Sequence, residues 1–264
     1  MLTLSEYYTN EKEMEKQVLA IITKDNLQRG ISFLTTDNVV FGVHDFSKSI
    51  EIAKQHFYTC ARLDEYNVKK YNSRLFDYAI PHVCYALLSD NIPYLQNVYA
   101  NLRYTSSYIS DTTGEKIPIT MDGMVKEGEM PIWCHTIFMI VQENRDAVKR
   151  NLYLMETLTF KKFPKQAPLL RMDYEYFKAL LNRDKNKMEE ILAAMVTPKI
   201  HKQRNDSPLL NQYISQPALG YAKLAWMQGI EVEVESKLVP KELLPITPNE
   251  QYTNAYDFLN ELDR

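Results

Sequence analysis

Apolar residues recur every three or four positions along most of this chain, and that spacing predicts a series of amphipathic helices. The first predicted helix spans about residues 10–24, with Thr9 as its cap and an apolar stripe at Met14, Val18, Ile21 and Ile22. Further helices are predicted at about residues 46–63, 67–89, 91–102, 131–143, 145–161, 172–182 and 184–195. Residues 30–43 are interpreted as a mixed connection, and Pro81 is expected to kink or restart the third helix.

Three helix junctions resemble one another, at residues 85–90, 137–144 and 178–184. In each, an apolar helix end leads into a polar cap and a second helix follows, as in stacked helical hairpins. Any array of helices yields such junctions, however, and no repeat consensus can be traced. The pattern therefore predicts an all-α fold: a single domain over residues 1–264, built as an array of about nine to eleven antiparallel helices in hairpins.

Residues 105–129 interrupt the helical pattern, because they hold three of the seven glycines and no apolar stripe. We interpret them as a long irregular loop that is exposed and mobile, and expect its deletion to leave the fold intact. Tyr108, Asp111 and Asp122 in this segment are candidate partner contacts.

A second change of pattern follows the predicted helix at residues 216–228, where Gly229 is the expected helix cap. Residues 230–235 alternate apolar and acidic side chains, which predicts a short extended segment with its apolar side chains facing the body. The opposite face then carries Glu231, Glu233 and Glu235. Two interpretations stay open: an edge strand protected by charge, or an acidic strip that docks a partner. A final helix is predicted near residues 256–262.

Composition excludes several classes of function. The 264 residues carry a net charge of −3 with scattered lysines and arginines, which argues against a nucleic-acid binder. Neither GxGxxG nor GxxxxGK[ST] occurs, and we predict no cofactor. No apolar run is long enough to span a membrane and the amino terminus is too polar for a signal peptide, so we expect a cytoplasmic protein. The three cysteines are expected to be reduced core residues: Cys60, Cys84 and Cys134.

No catalytic or metal-binding motif is found. The five histidines form no HxxxH or HExxH pair, and Asp45 beside His44 is interpreted as a helix cap rather than as a catalytic partner. We therefore predict that the protein is not an enzyme. The competing hypothesis of a helical enzyme would have to draw on His82, His135 and the loop at 111–129.

The carboxy-terminal pattern resembles the immunity-49 family of bacterial polymorphic-toxin immunity proteins. The resemblance rests on the passage SQPALGYAKLAWMQGIEVEV, followed by LVPKELLPI and YDFL. It implies a cytosolic α-helical protein, encoded beside a toxin, that protects the producing cell by binding that toxin. The immunity proteins of PoNe-type DNase effectors imply the same role.

The leading hypothesis is therefore stoichiometric neutralisation of a cognate antibacterial toxin, for which a nuclease is one candidate. Such a toxin is expected to be basic, because a basic nuclease would complement acidic side chains such as Glu231, Glu233 and Glu235. The alternative is a helical-repeat adaptor that holds a peptide or a house-keeping partner in a groove.

Overall fold

The computed structural model describes residues 3–23, 25–77, 80–205, 207 and 210–264. These residues are mainly α-helical, which confirms the predicted fold class, with one two-stranded antiparallel sheet. The helices are α1 (Leu4–Ile21), α2 (Leu27–Asp45), α3 (Ile50–Tyr71), α4 (Ile80–Leu87), α5 (Ile92–Asn97), α6 (Met121–Lys126), α7 (Ile132–Val141), α8 (Arg145–Leu154), α9 (Phe160–Lys162), α10 (Ala167–Leu181), α11 (Lys185–Met195), α12 (Pro198–Arg204) and α13 (Gln216–Met227). The strands are β1 (Thr105–Ile109) and β2 (Lys116–Thr120), and a π-helical turn, Met155–Thr159, joins α8 to α9.

The first three helices correct three sequence-based assignments. α1 begins at Leu4 because Thr3, rather than Thr9, forms a capping box with Glu6. Residues 30–43 belong to α2 and are not a connection. That helix is buried on most of its faces, so its apolar residues form no single stripe. Asp45 is the last residue of α2, and the hydroxyl of Ser49 caps α3 instead.

α3 continues without a break through the predicted boundary at residues 63–67. Asp64 and Glu65 lie at this point, and residues of this type are usually exposed on a helix surface. Both are buried, at 2% and 1% exposure, because buried partners satisfy them. Tyr99 donates a hydrogen bond to Asp64, and Arg62 pairs with Glu65. After α3, the helical path restarts at α4 with Pro81 in its first turn, as predicted.

The three similar junctions adopt the same local conformation. Asp90, Glu143 and Arg183 have φ angles of 58°, 58° and 56°, and each is followed by an asparagine or aspartate. The side-chain oxygen of that residue accepts a hydrogen bond from the backbone N–H three positions later, at Tyr94, Ala147 and Lys187. The prediction of polar caps between successive helices is thus confirmed.

Residues 105–129 are regular rather than irregular. β1 and β2 pair in the register Thr105 to Thr120 through Ile109 to Lys116, and α6 follows directly. Met121 and Val125 of α6 are fully buried. Removal of the whole segment would therefore expose core surface, whereas the strands of the hairpin contribute only partly buried side chains such as Ile119.

Most buried apolar residues form one cluster that runs from Val39 to Leu244 and contains Trp133 and Phe138. A smaller cluster joins α1, α2 and α3 to the carboxy terminus through Tyr256 and Leu259. All three cysteines are buried and free, as predicted. Burial raises the pKa of each thiol, which makes the thiols poor nucleophiles.

Residues 230–235 show the predicted alternation of burial. Ile230, Val232 and Val234 are buried, whereas the intervening glutamates are exposed. The segment pairs with no strand in the described part of the chain, so the edge-strand interpretation is wrong. Its backbone turns on itself instead, because the N–H of Val232 donates to the Ile230 carbonyl at 2.9 Å.

The carboxy-terminal tail, residues 245–263, lies along the polar side of α3. Gln55 donates to the Thr253 carbonyl at 2.7 Å, and Arg62 pairs with Asp263 at 2.5 Å. The final helix is present at the predicted position, as the 3-10 helix Asp257–Asp263. The side of α3 that a helical pattern marks as solvated is thus a docking surface for this tail.

A buried carboxyl group in α2 is poorly satisfied. Asp37 is 1% exposed and its Oδ2 has no hydrogen-bond partner among the described residues. Burial, together with the neighbouring Glu11 and Glu15, raises the pKa of Asp37 to about 8. The folded protein therefore holds a proton that the unfolded chain loses above its ordinary pKa near 4. Stability from this group is full at low pH and falls as the pH rises towards 8.

Replacing Asp37 with asparagine should therefore stabilise the protein. We expect a gain in the free energy of unfolding of about 1–2 kcal/mol at pH 7, because the amide carries no charge and can donate to Glu11. The gain should be larger at pH 8 than at pH 5, as measured by urea unfolding at each pH. The exposed Asp146→Asn serves as control and should change stability little at either pH. A gain that does not depend on pH would contradict the assignment.

Candidate functional site

The candidate contact residues fall into two separate groups. Glu231, Glu233 and Glu235 lie on the exposed face of the extended segment after α13. Glu235 pairs with Lys241 at 2.9 Å, so part of this acidic strip is already neutralised within the chain. No described contact links it to Tyr108, Asp111 or Asp122, which all lie in or beside the β1–β2 hairpin.

The hairpin projects apolar side chains into solvent. Tyr108 and Ile109 are 50% and 69% exposed, and Asp111 lies in the turn between the strands. Tyr108 also forms one wall of a shallow pocket of about 350 Å³ that is completed by Ile119, Met124 and Lys126. An exposed tyrosine next to an apolar hollow is typical of protein interaction sites.

One edge of the hairpin is open to another strand. The N–H of Ser110 donates to the carbonyl oxygen of Glu115 at 2.9 Å, which makes these residues a hydrogen-bonded pair. From this pair along the two strands, non-hydrogen-bonded and hydrogen-bonded pairs alternate. Thr105, Ser107 and Ile109 consequently direct their backbone groups away from β2. Pro118 occupies the equivalent outward position on β2 and has no N–H, so the outer edge of β2 lacks a donor that a further strand would need. β1 therefore presents the free edge, on the strand that carries Tyr108.

Asp122 lies at the mouth of a second pocket, of about 270 Å³, between α6, α7 and α8. The pocket is lined by Arg103, Asp122, Val125, Lys126, His135, Met139, Asn144, Ala147 and Arg150. Asp122 is exposed and pairs with Arg103 at 2.9 Å. Lys126 borders both this pocket and the hollow beside Tyr108, so the two pockets lie next to each other.

His135 forms the floor of this second pocket. It is 4% exposed, and its Nδ1 lies 2.8 Å from the amide nitrogen of Asn151, which donates to it. The ring proton of the neutral histidine is therefore on Nε2, whose nearest acidic oxygen, on Asp122, is 3.8 Å away. Burial, with Arg103 and Arg150 nearby, lowers the pKa of His135 to about 4, so this side chain is a neutral donor at physiological pH.

The other histidines have partners elsewhere. His82 pairs with Asp64 at 2.8 Å, and no described contact brings it to His135. His44 and His56 both contact Asp45, and Nδ1 of His44 lies 2.8 Å from its carboxylate oxygen. Asp45, which we interpreted as a helix cap, is therefore a partner of His44. Within the described ranges, no three acidic, histidine or cysteine side chains are placed to hold a metal ion.

A further groove lies between α4, α10, α12 and α13. Its charged wall is Arg204, which is already paired with Asp173 at 2.5 Å, and Tyr221 donates to the same carboxylate at 2.8 Å. A second hollow beside it shares Arg204 and Gln216 and is lined further by Asn205 and Ser207. The charges of the groove are satisfied internally, so it offers little to a ligand.

A fully buried charged cluster, which the sequence did not reveal, fixes the carboxy-terminal tail. Asp90 is 0% exposed and pairs with Lys54 at 2.9 Å and Lys223 at 2.5 Å. Lys223 also donates to the carbonyl groups of Leu243 and Pro245, while Lys54 donates to that of Thr247. Burial lowers the pKa of Lys223 to about 8. The cluster joins α3, α13 and the α4–α5 junction to the start of the tail.

The residues of the buried charged cluster and most of those in the pocket around His135 give only weak signals in the sequence. Lys54, Asp90 and Lys223 are common surface types, and only their place among apolar neighbours hints at burial. Arg103, His135 and Arg150 come from the segment before β1, from α7 and from α8, and they meet only in the folded chain. Asp122 was the one candidate partner contact in this pocket, and His135 was named only for the competing enzyme hypothesis.

Comparison with known proteins gives one finding. The family model for immunity protein 49 matches residues 136–243, from within α7 to the end of the 3-10 helix Lys241–Leu243. The span includes the helix-to-extended passage on which the resemblance was based, together with the α7–α8 and α10–α11 hairpins. No curated protein and no solved structure matches the chain. Among the described helices, none combines the length and apolar character needed to cross a bilayer.

Proposed function

Because residues 136–243 match the immunity protein 49 family, we propose that this chain neutralises a bacterial toxin by binding it in a stoichiometric complex. The family match is the observation that carries the proposal. The proposed mode of action is physical occlusion without turnover, in the cytoplasm of the cell that makes both proteins.

The β1–β2 hairpin is the proposed main contact. It combines an open strand edge with exposed Tyr108 and Ile109, and interfaces are enriched in tyrosine. It also precedes the matched span, which suits a surface that must differ from one toxin to the next. Asp111 and Asp122 would lie at the rim of this contact. The acidic strip of Glu231, Glu233 and Glu235 is the second candidate surface.

The first experiment is co-purification with the product of the neighbouring gene, combined with a growth assay for protection. We expect a one-to-one complex and survival of cells that express both proteins. A neighbouring gene without a toxin domain, together with no protection, would contradict the proposal. Recovery of several unrelated proteins without protection would favour the adaptor alternative.

Exchange of two hairpin residues should then separate binding from folding. Tyr108→Ser with Ile109→Ser is expected to weaken toxin binding at least tenfold, because large exposed aromatic residues often dominate interfaces. Their exposure means that the free energy of unfolding should change by less than about 0.5 kcal/mol. Calorimetry and urea unfolding measure the two effects.

Two matched variants identify the surface. Tyr153→Ser removes an equally exposed tyrosine on α8, at 65% exposure, and should bind normally. Replacing Glu231, Glu233 and Glu235 with glutamine tests the acidic strip. If this triple variant loses affinity while the hairpin variant keeps it, the contact lies after α13 and the hairpin assignment is wrong.

A further inference from the structure

The pocket between α6, α7 and α8 is lined by hydrogen-bond donors. Arg103, Lys126 and Arg150 supply three positive charges, against one negative charge on Asp122. The neutral ring of His135 adds an N–H directed into the pocket from its floor. That N–H belongs to a side chain that is 4% exposed, and its nearest acidic oxygen is 3.8 Å away. The N–H thus faces the pocket with no close acceptor from the described residues, and a ligand that supplies one would form a hydrogen bond with it.

The packing holds these donors in place. Asn151 is 0% exposed, donates to His135 Nδ1 at 2.8 Å, and accepts from Arg150 at 3.0 Å through its side-chain oxygen. One amide therefore orients both the histidine ring and the guanidinium group. Because these contacts exist before any ligand arrives, little conformational entropy is lost when an anion enters.

We propose that this pocket is an oxyanion site that receives a carboxylate side chain of the bound toxin, placed between His135 Nε2, Arg150 and Lys126. The inference rests on the proposed function, and it specifies the charge of the toxin at this point. The toxin surface facing the pocket carries an aspartate or glutamate, whereas a basic surface was expected to face Glu231, Glu233 and Glu235.

Two observations favour a carboxylate on a protein over a free anion. The pocket adjoins the apolar hollow beside Tyr108, with Lys126 lining both, so one polypeptide segment can reach both. The carboxylate of Asp122 also pairs with Arg103 at 2.9 Å, so one cation of this pocket already binds such a group. Asp122 occupies only the rim, is 60% exposed, and leaves a net charge of +2 to attract a second carboxylate.

The pocket is first tested on the free protein with sodium acetate as a probe. At constant ionic strength, acetate should shift the His135 ring signals in NMR spectra saturably. Asp122→Asn removes the competing negative charge and should strengthen acetate binding at least threefold. The double variant Lys126→Gln with Arg150→Gln should abolish the saturable shift. If acetate causes no saturable shift in either the wild type or Asp122→Asn, the proposal is overturned.

Inorganic phosphate is the second probe and distinguishes the source of the anion. If the natural occupant is a carboxylate side chain of a protein, acetate and phosphate should both bind weakly, because neither can also fill the adjoining hollow. Saturation by phosphate well below millimolar concentration would instead assign the pocket to a small anion and overturn the proposed occupant.

The decisive measurement is the affinity of each variant for the toxin. Lys126→Gln with Arg150→Gln should weaken toxin binding at least tenfold, whereas Asp122→Asn should tighten it. Lys149→Gln, on the same helix as Arg150 but outside the pocket, is the matched control. Wild-type affinity in the double variant would refute the carboxylate contact and leave the proposed function standing. Absence of any complex with the wild type would refute the proposed function itself.

Discussion

Replacing Asp90 with asparagine is expected to lower the free energy of unfolding by about 3–5 kcal/mol, the usual loss when one member of a buried ion pair is removed. Asp90 is the shared carboxylate of Lys54 and Lys223, which are 2% and 0% exposed. Without it, two lysines are left buried next to each other with only carbonyl and hydroxyl partners. Asparagine tolerates the positive φ of this position, so the change isolates the charge from the backbone.

The chain supplies a matched control for this variant. Glu143 occupies the equivalent position in the α7–α8 junction, with the same φ of 58°, but it is exposed. Glu143→Asn should therefore change the free energy of unfolding by less than about 0.5 kcal/mol. Adding Lys223→Met to Asp90→Asn should recover part of the loss, because one unpaired charge is then gone. Equal effects at positions 90 and 143 in urea unfolding would disprove the role assigned to the buried cluster.

Gly220→Ala is expected to destabilise the protein by about 3 kcal/mol through overpacking. Gly220 lies where α13 crosses α4, and an added Cβ would be 2.5 Å from Cys84 Sγ and 2.9 Å from Cys84 Cα. Contact with a backbone atom cannot be relieved by a rotamer change, so the two helices must move apart. Thermal unfolding should show the loss directly.

Gly30→Ala is the control for helical glycine. The added methyl group there meets only the side-chain end of Ile22 and Val18, which can rotate away. Alanine also favours helix over glycine by about 1 kcal/mol, so the net effect at position 30 should be small. A loss at position 220 no larger than that at position 30 would show that α4 and α13 adjust easily.

The sequence predicts those parts of this fold whose signals are local. The three junctions were found because caps and apolar helix ends lie within a few residues of each other. The alternation at residues 230–235 predicted correctly which side chains are buried. Even the missed start of α1 has a local signature, since Thr3 and Glu6 form a capping box.

The remaining features depend on distant residues. α2 has no stripe because the surrounding helices bury it on most sides, and a periodic pattern requires a solvated face. Asp64, Glu65 and Asp90 are ordinary surface types whose burial depends on partners elsewhere in the chain. The pocket around His135 combines residues from positions 103 to 150, so no spacing rule could have assembled it.

The tail along α3 also determines when this protein can finish folding. Lys54 and its acceptor Thr247 are 193 residues apart in the chain. At a synthesis rate of about 5–20 residues per second, roughly 10–40 s pass between the synthesis of α3 and that of the tail that covers its polar side. During that interval the amino-terminal layer lacks its final partners, and a nascent chain stalled before residue 247 would leave Lys54 and Asp90 exposed to water.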